Sequence, residues 1–329
     1  MQISSILDIV EGELLNTPSI SFIYNIKTQL NKVHEGDLFV AYDEFQIQEA
    51  LNKGAFGILI DFETNVCDKE IAWIKVKDTN LAISKLIRYK LSNMDLKAYY
   101  CNKVSFELLS IFLKNNQDGI QLLANDLNKQ IEELGNLDDI NTLICQDKDV
   151  LDSIYPNNSN FNSNSYAIKN LIEHSLFETT FSCGNRYFSR LKLPSLYINS
   201  FLQVYSFFEN SVDNNKLKKL NLFKPLFIDK YFKMIEYGNS NKFILSHTDE
   251  DIALNEIEHL KLKYSYAKTF VFANYSSSLK DSEVDYKIES LEEIKKIALS
   301  KKFNAVYIIG FHQDEIQNFI TKNSTKSLL

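Results

Sequence analysis

The sequence predicts an α/β protein with three domains, and one stretch near its start carries most of that prediction. Residues 38–41, which follow a Gly-Asp turn, and residues 58–60 are short apolar runs, and residues 45–52 between them place apolar side chains at helical spacing. This pattern indicates a strand, a helix and a second strand. Because both strands are almost wholly apolar, we expect a parallel sheet buried on both faces, with a right-handed crossover.

The elements around this unit define a first predicted domain, residues 1–96. Apolar spacing predicts a short helix at residues 3–10, a strand that starts at residues 12–15 and a second strand at residues 20–26. Residues 76–82 then open another helix.

The second predicted domain, residues 97–212, is less regular. Its expected elements are a strand at 96–100, a helix around 107–109, a strand at 140–145, a short helix at 147–155, a polar loop at 156–165, a hairpin at 177–190 and a buried helix at 196–208.

The third predicted domain, residues 213–329, returns to strand and helix alternation. A strand and a helix are expected within residues 242–254, and further strands at 269–273 and 305–310. Between those two strands, Ser290 and Glu293 form the capping-box pattern of a helix start. Such alternation predicts a small Rossmann-like sheet.

Composition and charge narrow the possible functions. The chain has 329 residues, of which 45% are hydrophobic and 24% charged, so a folded protein with a large core is expected. The net charge is −7 and the lysines are scattered, which argues against a nucleic-acid partner. No stretch approaches the roughly 18 apolar residues of a membrane span, and no signal-peptide pattern opens the chain. We therefore expect a cytoplasmic protein.

The four cysteines, at positions 67, 101, 145 and 183, are far apart and none forms a C-x-x-C pair. None lies near a histidine in the sequence. This spacing predicts ordinary reduced thiols, with neither a zinc site nor a disulfide framework.

Four successive segments resemble the N-terminal domain of the Mur ligases. They are Gly-Asp-Leu-Phe-Val-Ala at residues 36–41, a helix that ends in Ala-Leu-x-x-Gly-Ala at residues 50–55, the apolar strand at 57–61, and Val-Lys-Asp-Thr-Asn-Leu-Ala at residues 76–82. Mur ligases are ATP-dependent enzymes that add amino acids to the UDP-muramoyl precursor of peptidoglycan. The resemblance is greatest to members that add D-alanyl-D-alanine, and it implies a three-domain architecture with a Rossmann-like C-terminal domain.

The resemblance also shows what this chain lacks. In the family, a loop close to T-G-x-x-G-K-T-T binds the phosphates of ATP, and Lys103 falls where its lysine would be. Tyr100, Cys101 and Asn102 carry side chains where glycines should let the backbone turn around a phosphate. Val104 stands where a threonine hydroxyl would ligate Mg²⁺, and Ser105 is one position late. A solvated lysine at a helix start is the simpler interpretation of Lys103.

Other family signatures are changed as well. The Asp-Ser-Arg that helps to hold the UDP-sugar is replaced by residues 24–27, so the pocket lacks a fixed cation and UDP-sugar binding should be weak or lost. Residues 123–131 and 193–202 only partly match the family's Asn-rich segment and linker helix. No counterpart of the family's Mg²⁺-binding glutamate or carbamylated lysine is found, and the central domain is predicted to be truncated.

Two histidines are the best remaining candidates for a ligand cleft. His247 lies at the predicted carboxyl end of a parallel strand, where α/β proteins bind ligands. His312 follows another strand end, so the two are expected to face one cleft. His34, His174 and His259 are expected on turn or helix surfaces. A lone histidine without a partner acid is more often a loop residue than a functional one.

Two functions of different classes remain open from the sequence, besides a third and weaker possibility that the scaffold now binds an unrelated metabolite in the interdomain cleft. In the first, the chain is a degenerate Mur ligase without catalytic residues or cofactors, which serves as a binding or regulatory partner in cell-envelope assembly. In the second, it is a divergent ATP- and Mg²⁺-dependent ligase that adds an amino acid or dipeptide to a UDP-muramoyl-type precursor. An acyl phosphate requires a γ-phosphate held by backbone amides, Mg²⁺ and a lysine. This chain offers at most the lysine, which favours the first.

Overall fold

The computed structural model describes residues 1–113, 119–123, 126–135 and 140–325. The chain forms two compact units. The first comprises Met1–Asn102 and Leu113–Phe161, and the second comprises Lys103–Phe112 and Asn162–Leu329. The division into domains at 1–96, 97–212 and 213–329 stays a prediction.

The first unit opens with a five-stranded sheet in the order β1-β5-β4-β3-β2. Its strands are β1 (Glu13–Leu14), β2 (Ile26–Lys27), β3 (Leu38–Val40), β4 (Gly57–Ile60) and β5 (Ala72–Lys75), and its helices are α1 (Ile3–Val10), α2 (Glu44–Asn52) and α3 (Thr79–Ser92). Only β1 runs antiparallel to its neighbour. The predicted parallel strand, helix and strand unit is thus present, and β3 and β4 are fully buried.

Side-chain caps explain where the two longer helices of this sheet begin. The Asp43 carboxylate accepts a hydrogen bond from the Gln46 N–H at 3.0 Å, and Asp78 accepts from the Leu81 N–H at 2.9 Å. Each acid satisfies a backbone donor that has no partner inside its helix.

A second sheet of the same unit is wholly parallel, in the order β7-β8-β6-β9. Its elements are β6 (Lys97–Tyr100), β7 (Ile120–Leu122), α5 (Leu127–Gly135), β8 (Thr142–Cys145), α6 (Lys148–Ile154) and β9 (Asn158–Asn160). One apolar core joins both sheets, because α3 packs against α1, α5 and α6.

Two predicted segments of this unit differ from the structure. The strand expected at residues 20–26 is reduced to β2 at its end and one bridge between Gln2 and Phe22. The polar tract expected to be a loop at residues 156–165 contains β9, which pairs with β6 through backbone groups and does not need apolar side chains. Residues 124–125, inside the family-like segment 123–131, lie outside the described residues.

The second unit begins with an antiparallel sheet in the order β10-β11-β12 and two packed helices. These elements are α4 (Lys103–Phe112), β10 (Ile168–Ser175), β11 (Glu178–Cys183), β12 (Arg186–Leu191) and α7 (Ile198–Phe207). The predicted hairpin corresponds to β11 and β12, whereas β10 was not expected. His174 lies on β10, so its expected place on a turn or helix is wrong.

The rest of the second unit is a five-stranded sheet in the order β13-β14-β17-β15-β16. Its elements are β13 (Leu226–Phe227), β14 (Phe243–His247), α8 (Glu250–Lys263), β15 (Thr269–Asn274), β16 (Tyr286–Ile288), α9 (Leu291–Ser300), β17 (Ala305–Ile309) and α10 (Gln313–Thr325). All pairs but β13–β14 are parallel, and the predicted capping box opens α9. The α/β class is confirmed.

Helices cover both faces of this sheet. Side chains of α9 and α10 share an apolar cluster with Ile244, Val306 and Ile308. The side chain of Tyr307, which points to the other face of β17, contacts Glu256 of α8. Within the described part of the chain, no helix has the length and apolar character needed to cross a membrane.

Candidate functional site

The adjacent parallel strands β14 and β17 end at a cleft of about 290 Å³. The helix that follows β14 lies on one face of the sheet, and the helix that follows β17 lies on the other. Such a change of side opens a crevice beyond the carboxyl ends of the strands, where ligands of α/β proteins bind. His247 and His312 both line this cleft, which also receives Glu107 of α4, Ser246 and Gln313.

His247 has a defined orientation because both of its ring nitrogens have partners. Nδ1 accepts a hydrogen bond from the Asp249 N–H at 2.9 Å, and Nε2 lies 3.2 Å from Glu107 Oε1. Because Nδ1 accepts, the neutral ring carries its proton on Nε2 and donates it to Glu107. Burial lowers the pKa of His247, but the hydrogen bond and charge of Glu107 outweigh it, so the pKa is raised overall.

The other side of the cleft carries buried polar atoms without partners. Ser246 and Gln313 are 6% and 8% exposed, and neither Ser246 Oγ nor Gln313 Oε1 has a hydrogen-bond partner among the described residues. Gln313 is held in place by its Nε2, which donates to the Lys224 carbonyl at 2.8 Å. Buried polar groups are normally paired, so these two atoms stand out as unsatisfied groups of residues that line the cleft.

Lys103, the first residue of α4, is held by carboxylates of α8. Its ammonium forms a hydrogen-bonded ion pair with Asp249 and lies 3.5 Å from Asp251. The hydrogen bond from Lys103 to Asp249 raises the pKa of the lysine. Burial raises the pKa of Asp249, but the bond from Lys103 reverses this and the pKa is lowered overall. Lys103 is therefore an ion-paired lysine at a helix start, and its side chain stays 43% exposed to water.

Glu256 has a buried carboxylate that was not identified from the sequence, and it connects three parts of the second unit. Glu256 of α8 accepts hydrogen bonds from the Tyr197 hydroxyl at 2.6 Å and the Tyr307 hydroxyl at 2.5 Å. Burial raises the pKa of Glu256 to about 7. The one local signal was an acid at an apolar position of α8, four residues after Ile252 and four before Leu260.

A second buried carboxylate lies in the first unit, beside the segment that replaces the family's sugar-binding signature. Glu132 Oε1 accepts from the backbone N–H groups of Thr28 at 3.4 Å and Gln29 at 3.0 Å. Its Oε2 pairs with Lys32 at 2.5 Å. A carboxylate of the chain thus binds two backbone amides and a lysine, which are groups of the kind that bind phosphate in other proteins.

Two lysines near this segment are held in place. Lys27 is buried, at 7% exposure. Lys53 donates to the Leu30 carbonyl at 2.8 Å and pairs with Glu49 at 3.0 Å.

Comparison with known proteins gives a clear result at the level of structure. No family model matches the chain, and no curated protein matches it in sequence. The MurF ligase from Thermotoga maritima, solved in complex with ADP, is 16% identical, with 92% of this chain and 98% of that chain covered and a TM-score of 0.55. A MurF from Acinetobacter baumannii is 10% identical, with 98% of each chain covered and a TM-score of 0.59.

The chain has a Mur ligase-like fold. Because identities this low show a shared fold and no shared chemistry, the chemistry of the site has to follow from this chain's own residues. The sequence resemblance described above aligns the phosphate-binding loop of the Mur ligases with the connection from β6 to α4, which here consists of Cys101 and Asn102 alone. A phosphate-binding loop needs several inward-facing amides ahead of its lysine.

Neither Cys101 of this connection nor Val104 and Ser105 at the start of α4 offer the groups that a bound nucleotide would need. The Cys101 N–H donates to the Cys145 carbonyl at 2.9 Å, so it continues the sheet instead of facing a phosphate. Burial also raises the pKa of the Cys101 thiol to about 12. Val104 offers no hydroxyl for Mg²⁺, and Ser105 is buried. These residues do not fit a bound Mg-ATP.

No group of three or more potential ligands is placed to hold a metal ion in the described part of the Mur ligase-like fold. All four cysteines are free thiols, and two of them, Cys101 and Cys145, are buried.

Proposed function

We propose that this chain is a non-catalytic Mur-ligase-like protein that acts as a binding or regulatory factor in peptidoglycan and cell-envelope assembly in the cytoplasm. The observation that carries the proposal is the pairing of Lys103 with Asp249. The lysine best placed to bind a nucleotide phosphate already neutralises a carboxylate of its own chain. Phosphoryl transfer depends on charges aimed at the phosphate, and a cation paired in this way contributes little.

In the first unit, a carboxylate of the chain likewise binds groups that a substrate phosphate would use, which supports a loss of UDP-sugar binding. A diphosphate at the segment around Thr28 would have to displace Glu132 from two backbone amides and from Lys32. Removing a buried carboxylate from its donors leaves an uncompensated charge, which is costly. We therefore expect UDP-sugars to bind weakly or not at all.

Binding is instead assigned to the cleft that contains His247 and His312. The cleft supports this role because Ser246 Oγ and Gln313 Oε1 are buried without a partner among the described residues. The His247–Glu107 pair gives it one fixed polar wall. A protein or metabolite that supplies hydrogen-bond donors to this cleft would be the functional partner.

Titration calorimetry with Mg-ATP tests the loss of nucleotide binding. We expect no binding heat at physiological ATP concentrations for the wild type, for Lys103→Ala or for Asp249→Asn. The last variant removes the closer carboxylate partner of Lys103, leaving Asp251 at 3.5 Å, but keeps the N-cap of α8, because asparagine caps as well as aspartate. Sub-millimolar ATP affinity of the wild type that disappears in Lys103→Ala would contradict the proposal. Affinity that arises only in Asp249→Asn would show that the ion pair alone blocks the nucleotide in the wild type.

A deletion strain tests the cellular role. We expect a defect in envelope, shape or division without loss of the essential ligase step, and full complementation by Lys103→Ala. If that variant is folded and normally abundant but fails to complement, the divergent ligase becomes the better explanation.

A further inference from the structure

A second cleft, of about 420 Å³, lies at the end of β14 opposite to His247. It is formed by the turn between β10 and β11, the residues that precede β14 and the end of α8. Its volume falls in the range of about 300–1,000 Å³ that is typical of small-molecule sites. Nothing in the proposed function accounts for it.

The floor of this cleft is a rigid group of aromatic rings. Phe177, Phe227 and Phe243 are 7%, 8% and 3% exposed. The centroid of Phe177 lies 6.2 Å from that of Phe227 and 5.2 Å from that of Phe243, both in edge-to-face geometry. Such contacts fix the rings in place, so the floor is preformed.

The walls are tyrosines that folding leaves in contact with water. Tyr237 is 50% exposed and Tyr266 is 83% exposed. Tyr237 packs on Phe227 at 5.0 Å, and Tyr264 holds Tyr266 at 4.6 Å between centroids. Each wall therefore presents an apolar ring beside a hydroxyl group that can donate and accept hydrogen bonds.

The charges at this cleft are paired. The Lys192 ammonium, 4.6 Å from the centroid of the Tyr237 ring, forms an ion pair with Glu178. Among the described residues that line it, the charged side chains are Glu173 and Lys263, which pair with each other at 2.8 Å. The remaining polar groups are hydroxyls and amides, from Ser175, Ser240 and Asn241. An ionic ligand would find no free opposite charge and would lose its hydration without compensation. The cleft thus favours a neutral ligand.

We propose that this cleft binds a neutral saccharide. A pyranose ring has C–H faces that are apolar and an edge of hydroxyl groups, which matches aromatic walls with a polar, uncharged rim. The ring would stack on Tyr237 and Tyr266, and its hydroxyls would bind the side chains of Ser175 and Asn241. This inference is independent of the His247 cleft and of nucleotide binding.

Saturation-transfer NMR on the full chain tests the proposal, with methyl β-glucoside, methyl β-galactoside, N-acetylglucosamine and its β-linked disaccharide as probes. At least one probe should receive magnetisation from the wild type, most strongly at its ring C–H protons. In Tyr266→Ala or Tyr237→Ala the affinity should fall by about tenfold or more, since each change removes a stacking surface.

Tyr231→Ala is the matched control, because Tyr231 is 61% exposed but does not line the cleft. It should bind like the wild type, as should Tyr266→Phe, which keeps the stacking ring. Because Tyr266 is almost fully exposed, its loss should leave the circular dichroism and melting temperature unchanged. The proposal is overturned if no probe binds, if the alanine variants bind as well as the wild type, or if a proline-rich peptide binds in place of every saccharide.

Discussion

At the scale of single residues, the His247–Glu107 contact is the interaction in the candidate site with the most direct readout. Glu107 Oε1 lies 3.2 Å from His247 Nε2 and favours the charged imidazole, whereas burial opposes it. Glu107 is therefore the largest contributor to the net rise in the pKa of His247, and the charges of Glu256 and Asp249 add to it.

We predict that Glu107→Gln lowers the pKa of His247, measured by NMR titration of its ring protons. Because the folded wild type binds this proton more tightly than the unfolded chain, the pair stabilises fully below the unfolded pKa of about 6.5. That contribution is lost as the pH rises through the folded pKa. Glu107→Gln should accordingly cost more stability at about pH 5.5 than at about pH 8.5. Glu292→Gln, an exposed change on α9, should leave the pKa of His247 unaltered.

At the scale of secondary-structure elements, the turn into β3 depends on a glycine. Gly36 has a φ of +93°, and an alanine Cβ there would lie 2.0 Å from the Tyr24 ring. Both the backbone conformation and the close approach of the ring exclude a side chain.

Gly36→Ala should therefore destabilise the protein, measured as the free energy of unfolding in urea. Gly184→Ala is its control, because Gly184 also has a positive φ, of +57°, but no described atom lies within 4 Å of its Cβ position. We expect Gly36→Ala to cost about 1–3 kcal/mol more than Gly184→Ala, which is the usual price of overpacking. Equal losses would show that the Tyr24 ring moves away freely.

Local patterns explain which elements the sequence predicted. Local residues alone indicate the strands β3 and β4 and the helix between them, through apolar runs, helical spacing and an N-cap at Asp43. The strand β9 is different, because its three polar residues form a strand only through pairing with β6. Local sequence carries no signal for such an edge strand.

The candidate site shows the same limit over longer distances. The strand-end rule located His247 and His312, since it depends on elements visible in the sequence. Their surroundings were not predictable, because Glu107 is 140 residues from His247 and Asp249 is 146 residues from Lys103. Glu132 is likewise 104 residues from Thr28. Only the folded chain brings these partners together.

At the scale of the whole molecule, the first unit has a core that the chain completes only after α4. Leu86 and Ile87 of α3 share one apolar cluster with Ile131, Leu151 and Ile154, which all follow residue 113. The first 102 residues therefore leave part of that cluster without its partners.

We predict that a fragment of residues 1–102 does not unfold cooperatively. A fragment of residues 1–161, with 103–112 replaced by a flexible glycine-serine linker, should give a single transition on thermal denaturation, because it restores the shared core. Circular dichroism of the two fragments makes the comparison. A sharp transition in the shorter fragment would instead support an independent domain near the predicted boundary at residue 96.

The pairing of Lys103 with Asp249 also sets the terms of competition for any nucleotide that reaches this site. The carboxylate is attached to the same chain, so its local concentration at the lysine is millimolar or higher by the usual estimate for tethered groups, and it does not vary with metabolism. A nucleotide phosphate would therefore compete for the lysine with a partner that is always present. Added salt screens this partly exposed ion pair. The presence of the competitor does not depend on the energy charge of the cell.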